Sequence, residues 1–243
     1  MPLSCIIYDL DGTLVDSAPD IALAVNSIRG HYTLDELTEA QVRDFIGDGA
    51  EKLVERAIFG MVDDSSQATF NTLPRSIAEV HSLVTEFQDI YEDNPVAQTT
   101  VATGAETILS HWQNQGVFQI CLTNKPHDIA VQVLERLKLL PYFDLVVGDG
   151  ARDDDNKILP RKPDVAVLDF VIDQAGSDRN ETVLVGDGKP DFDVAKAGKI
   201  RCIGLTCGYT ASDVVMSKID QPDMLARSFI EAGEILERLN QSI

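Results

Sequence analysis

Five short apolar runs constrain this chain more than anything else in it: Ser4 to Tyr8, Phe118 to Leu122, Leu145 to Val147, Thr182 to Val185 and Cys202 to Leu205. In each, the apolar residues run on instead of alternating, the pattern of a strand buried on both faces. Helical spacing separates the later runs, over Ile129 to Lys138, Val165 to Ala175 and Phe192 to Ala197. Strands alternating with helices of this length build βαβ units, so an α/β fold with a parallel sheet in the order 3-2-1-4-5 is predicted.

From about Ser17 to Pro95 no strand pattern occurs. Ile77, Val80, Val84, Phe87 and Tyr91 recur at spacings of three and four, one apolar helix face ending near Asn94-Pro95. An all-helical insert of this size is too large for a simple crossover, so a second domain is expected, entered near Asp16 and left near Pro95.

Charge narrows the partners. The 243 residues carry 40 acidic and 20 basic side chains, a formal charge of −20, which repels polyanions and argues against nucleic acid as a partner. No apolar run approaches the roughly 18 residues of a membrane span, and Met1 to Ile7 lead straight into an acidic motif. A soluble, cytoplasmic protein with no membrane partner is expected, and any phosphorylated partner must be a small metabolite. Cys5, Cys121 and Cys202 sit inside apolar runs without ligand spacing and read as core thiols.

The first run ends in Asp9-Leu10-Asp11-Gly12-Thr13 and the fourth in Gly186-Asp187-Gly188-Lys189-Pro190-Asp191. In the expected order these strands are neighbours, so four carboxylates meet at the sheet edge where open α/β folds bind ligands. Like charges about 4 Å apart cost roughly 4 kcal/mol per pair at an effective dielectric near 20, so the cluster needs protons or a cation. Hard oxygen donors select Mg²⁺, held by the side chains of Asp9 and Asp187 and the backbone carbonyl of Asp11. Asp191 is a further expected ligand, though it opens a helix, where a carboxylate is stabilised in any case.

The second strand ends in Leu122-Thr123-Asn124-Lys125-Pro126, which opens a helix, so the Thr123 hydroxyl and the first N–H groups of that helix suit phosphate oxygens. Lys162 precedes another helix and supplies a point charge, with Lys157 and Arg161 as local competitors. Asp9 is the expected nucleophile, and Asp11 the acid for the leaving alcohol and then the base for water. Leu10, Gly12 and Asn124 are expected substrate contacts. So are Gly47, Gly49 and Lys52 in the helical insert, although the glycines also suit a plain turn and an exposed lysine is usually just solvated.

Asp9-Leu10-Asp11-Gly12-Thr13, Leu122-Thr123-Asn124, Lys162 and Gly186-Asp187 with Asp191 resemble, in order, the four motifs of the haloacid dehalogenase-like phosphatases. The run Phe45 to Ala57, Thr123-Asn124-Lys125-Pro126 and Gly204 to Tyr209 resemble the phosphoglycolate phosphatase branch. The resemblance implies a Rossmann-like catalytic core over residues 1–16 and 96–243, a helical cap over 17–95, magnesium dependence and an aspartyl-phosphate intermediate. Gly188 stands where the family usually carries serine or threonine, so a hydroxyl near the metal is missing. The alternatives are a sugar-phosphate mutase of the same fold and a phospho-accepting signalling module of the receiver type.

Overall fold

The structure, a computed structural model, describes residues 2–60, 77–210 and 222–241. The first strand is β1 (Cys5–Tyr8), followed by the short β2 (Val15–Asp16). Among the described residues four helices come next: α1 (Ala18–His31), α2 (Glu39–Arg43), α3 (Ala50–Phe59) and α4 (Ile77–Asp93). Then run β3 (Thr100–Val101), α5 (Ala105–Asn114), β4 (Phe118–Pro126), α6 (His127–Arg136) and β5 (Leu145–Asp149). The chain continues through α7 (Val165–Ala175), β6 (Thr182–Gly186), α8 (Lys189–Gly198), β7 (Arg201–Leu205), β8 (Met224–Ala226) and α9 (Phe229–Gln241).

The main sheet has six strands in the order β5-β4-β1-β6-β7-β8, with every pair parallel. The five apolar runs therefore occupy the order expected of them, and β8 adds an edge strand that was not expected. Side chains alternate across β1. Cys5 and Ile7 pack with Val167, Leu168 and Val171 of α7, while Ile6 and Tyr8 share a cluster with Leu109 and Trp112 of α5.

Register fixes where the site lies. Cys5 stands opposite Phe118 on one side and Thr182 on the other, and Tyr8 opposite Cys121 and Val185. Asp9, Thr123 and Asp187 then follow these matched positions by one or two residues and emerge at the same edge.

Between β2 and β3 the described residues contain helices and no strand. Val80, Phe87 and Tyr91 on α4 are buried with Ile21 and Val25 of α1 and with Leu53 and Val54 of α3, in one cluster with the α5 side of the sheet. The burial of Ile77 lies outside the described side chains. The chain leaves and re-enters through an antiparallel ribbon, Val15 opposite Val101 and Asp16 opposite Thr100. Beside it the buried Asp20 carboxylate accepts hydrogen bonds from the backbone N–H groups of Gln98 and Thr99 and from the Thr99 hydroxyl. Satisfying a buried carboxylate with three donors clamps the start of α1 to the returning segment.

Candidate active site

Three buried carboxylates meet at the sheet edge. Asp9, Asp187 and Asp191 each offer an oxygen, and these atoms lie within 4.8 Å of one another. Lys162 closes the group: its Nζ is 2.9 Å from Asp9 Oδ1 and 2.6 Å from Asp191 Oδ1. Its competitor Arg161 turns instead toward Asp149.

The backbone brings these side chains close because it carries few side chains of its own there. Gly12 has φ +81°, and a Cβ on it would sit 2.5 Å from Asp187 Oδ2. A Cβ on Gly186 would overlap Asp191, and one on Gly208 would overlap Asp187. Asp187 is then fixed by two donors, the Thr13 hydroxyl at 2.9 Å and the Tyr209 backbone N–H at 2.7 Å. Asp9 accepts the Leu10 N–H at 2.8 Å, and Asp191 accepts the Gly188 N–H at 3.1 Å. Leu10 thus meets the site through its backbone, its side chain being buried in the core.

Electrostatics follow from crowding in a place stripped of water. Burial, and then the charge of Asp9, push Asp187 up to about 7 against its hydrogen bonds and Lys162. Burial and the charge of Asp191 raise Asp9 despite Lys162, and Asp191 is raised by burial. Burial works against the charge on Lys162, but Asp191 and Asp9 outweigh it and hold the ammonium protonated. One ammonium leaves three acids undercompensated, so the donor set fits a hard divalent cation.

Asp11 takes a different position. Its side chain is outside the three-acid cluster and accepts hydrogen bonds from Ser17 Oγ at 2.5 Å and from Lys125 Nζ at 3.0 and 3.1 Å. Lys125 also donates to the Tyr91 hydroxyl at 2.8 Å, and its Nζ lies 4.5 Å from that ring's centre. Asp9 and Asp11 line a cavity of about 50 Å³ together with Thr123, Asn124, Lys125, Gly47, Gly49 and the apolar Ile21, Ile46, Leu53, Phe87 and Tyr91. Asn124 donates to the carbonyls of Gly47 and Lys162, both at 3.0 Å, which ties the helical layer to the sheet edge. Its Oδ1 is buried without a hydrogen-bond partner.

Lys52 is not brought to the cavity. It lies on the outer face of α3 and pairs with Glu55 at 2.7 Å, because the inward positions there belong to Ala50, Leu53 and Ala57. The cation that does line the cavity, Lys125, was not among the expected site residues, nor were Thr13, Ser17 and Tyr209. Tyr209 joins the site to the stem of the helical layer: its hydroxyl donates to Asp16 at 3.0 Å and accepts the N–H groups of Ser17 and Ala18. The Arg43 guanidinium sits 5.0 Å above its ring and pairs with Asp16 at 2.7 Å.

Residues 6–205 match the haloacid dehalogenase-like hydrolases. The chain belongs to that family. Among curated relatives of this haloacid dehalogenase-like hydrolase, phosphoglycolate phosphatase 1 of Pseudomonas aeruginosa is 34% identical over 205 residues, covering 84% of this chain and 70% of the relative. The phosphoglycolate phosphatase of Pectobacterium atrosepticum is 29% identical over 224 residues, covering 92% and 88%. A crystal structure from Haemophilus somnus 129PT, described as a predicted phosphoglycolate phosphatase, superposes with a TM-score of 0.80 at 26% identity, covering 96% of this chain and 97% of that one. The hydrolase resembles the phosphoglycolate phosphatases, and its membership removes the receiver-type alternative.

Proposed function

We propose that this haloacid dehalogenase-like phosphatase is a magnesium-dependent phosphomonoesterase that acts on 2-phosphoglycolate through a phosphorylated Asp9. The observation that carries the reading is the buried triad of Asp9, Asp187 and Asp191, with oxygens within 4.8 Å and Lys162 across two of them. The relatives named for phosphoglycolate point to the substrate.

Asp9 and Asp187 through side chains, Asp11 through its carbonyl and Asp191 in support would hold the ion. Bound there, Mg²⁺ would screen the phosphoryl charge from the surrounding acids. Asp9 attacks phosphorus, the bond to the ester oxygen breaks, and Asp11 delivers a proton to the departing alkoxide. Asp11 then takes a proton from water as that oxygen attacks phosphorus, and the bond to Asp9 breaks to release phosphate. Lys162 holds Asp9 in line, while Thr123, which lines the cavity with Asp9, faces the phosphoryl oxygens. The unpartnered Asn124 Oδ1 accepts a hydrogen from a bound water or a protonated phosphoryl oxygen.

The apolar wall of Ile21, Ile46, Leu53 and Phe87 offers few partners to sugar hydroxyls, which disfavours the mutase. Phosphate release from 2-phosphoglycolate and a panel of phosphomonoesters, with Mg²⁺ and with a chelator, tests the reading. Magnesium-dependent release from 2-phosphoglycolate is expected. Release from none of the compounds contradicts the reading, and isomerisation of glucose 1-phosphate without release replaces it by the mutase.

A further inference from the structure

We infer that Lys125 is the specificity-determining residue of this hydrolase: its ammonium recognises an anionic group on the leaving alcohol, next to the ester carbon. The inference rests on the phosphomonoesterase reading and places recognition of that group at the end of β4 instead of the helical layer, where Lys52 was an expected substrate contact.

Position is the first argument. Asp9 meets phosphorus and Asp11 meets the leaving oxygen, so a substituent one or two bonds beyond that oxygen falls beside whatever touches Asp11 on the cavity side. Lys125 Nζ is that group, 3.0 Å from Asp11 Oδ1 and itself lining the cavity.

Charge is the second. Lys125 is the one cation among the described residues that line this cavity, and it is 6% exposed. Ile21, Ile46, Leu53 and Phe87 line the same cavity and give a carboxylate no competing partner. In such a desolvated place an ammonium discriminates strongly between an anionic and a neutral group. Tyr91 aims it, since its hydroxyl accepts one N–H at 2.8 Å and its ring lies alongside.

Size is the third. The cavity's 50 Å³ equals roughly four waters at the 10–15 Å³ a single water needs by this measure. Because Asp9 and Thr123 line the same space, the phosphoryl group takes part of it, which limits the leaving alcohol to a few heavy atoms and excludes a hexose.

The test compares 2-phosphoglycolate with ethyl phosphate, a small ester without the carboxylate, in the wild type, Lys125→Met, Lys125→Arg and Tyr91→Phe. Folding is checked by circular dichroism, and kcat and KM are measured separately. The wild type is expected to favour 2-phosphoglycolate by about a hundredfold in kcat/KM, the size of a lost partner in a buried charge pair. Lys125→Met brings that ratio to within a few-fold of one, whatever happens to the two rates together. Lys125→Arg retains part of the preference, and Tyr91→Phe lowers it several-fold with the larger change in KM. An unchanged ratio in folded Lys125→Met, with both rates lowered equally, overturns the assignment and leaves Lys125 as a support for Asp11. If Lys125→Met does not fold, an unchanged ratio in Tyr91→Phe and Lys125→Arg overturns it. Hydrolysis of neither ester by the wild type refutes the phosphomonoesterase reading itself, and this assignment with it.

Discussion

Lys162 Nζ lies 2.6 Å from Asp191 Oδ1, an ion pair in which both side chains are almost fully buried. The same ammonium reaches Asp9, so it is the internal counter-charge of the acidic cluster. Lys162→Met leaves buried acids without it, and removing one partner of a buried pair costs about 3–5 kcal/mol. The variant is expected to melt several degrees lower in chelator and to lose turnover by about a hundredfold or more. Thermal melts with and without Mg²⁺ and steady-state rates check this. A variant that melts and turns over like the wild type rules out the pairing.

The raised acids make stability depend on pH in a direction that can be fixed beforehand. Asp187 moves from an ordinary 3.8 up to about 7 on folding. Between those values the native protein holds a proton that the unfolded chain has released, so the stability of the metal-free protein falls as pH rises through the window. Melting temperature in chelator is therefore expected to drop between about pH 4.5 and about pH 7.5 more in the wild type than in Asp187→Asn. An Mg²⁺ ion held by the ionised cluster, as proposed, should raise the melting temperature at about pH 7.5 and have little effect near pH 5. Equal stabilisation at both values contradicts this.

Gly12 tests whether the turn after β1 exists for the sake of Asp187. Its φ of +81° costs a residue with a side chain about 1–2 kcal/mol, and the added Cβ meets the Asp187 carboxylate at 2.5 Å. Gly12→Ala is expected to weaken Mg²⁺ binding, read by calorimetry, by more than its loss of stability explains. Unchanged binding with lowered stability makes Gly12 a turn residue only.

Gly188 can be given the hydroxyl that the family usually carries. Its φ of −102° suits any residue, and a Cβ there stands 3.4 Å from Asp191 Oδ2 and from Pro190. Gly188→Ser is expected to fold normally and to lower the half-saturating Mg²⁺ concentration, by up to about tenfold, the lower end of what groups around metal ligands contribute. An unchanged requirement means that Thr13 and Tyr209 already supply the orientation.

The acids of β1 and β6 were legible because continuous apolar runs fix where those strands end, and parallel pairing in matched register brings the ends together. Thr123 and Lys162 followed from the same logic of strand and helix ends. Lys125 was hidden because a lysine after a strand looks solvated until Tyr91, 34 residues earlier on a separate helix, is known to cover it. Lys52 shows the opposite case: Ala50, Leu53 and Ala57 mark the inward face of α3, and that period already put Lys52 outside. The β2–β3 ribbon has two residues per strand and β8 three, too short for any hydrophobic period to register. Tyr209 and Asp20 act through contacts 193 and 78 residues away, which no local pattern carries.

Turnover of 2-phosphoglycolate by Asp9→Asn, set beside the wild type at saturating Mg²⁺ with both proteins shown to be folded, tests the account most directly. A neutral amide cannot bond to phosphorus as the carboxylate does, so phosphate release is expected to fall by at least about 10⁴-fold, the loss that follows removal of one member of a catalytic unit. Release at a tenth of the wild-type rate or more would show that phosphorus is attacked by something other than Asp9.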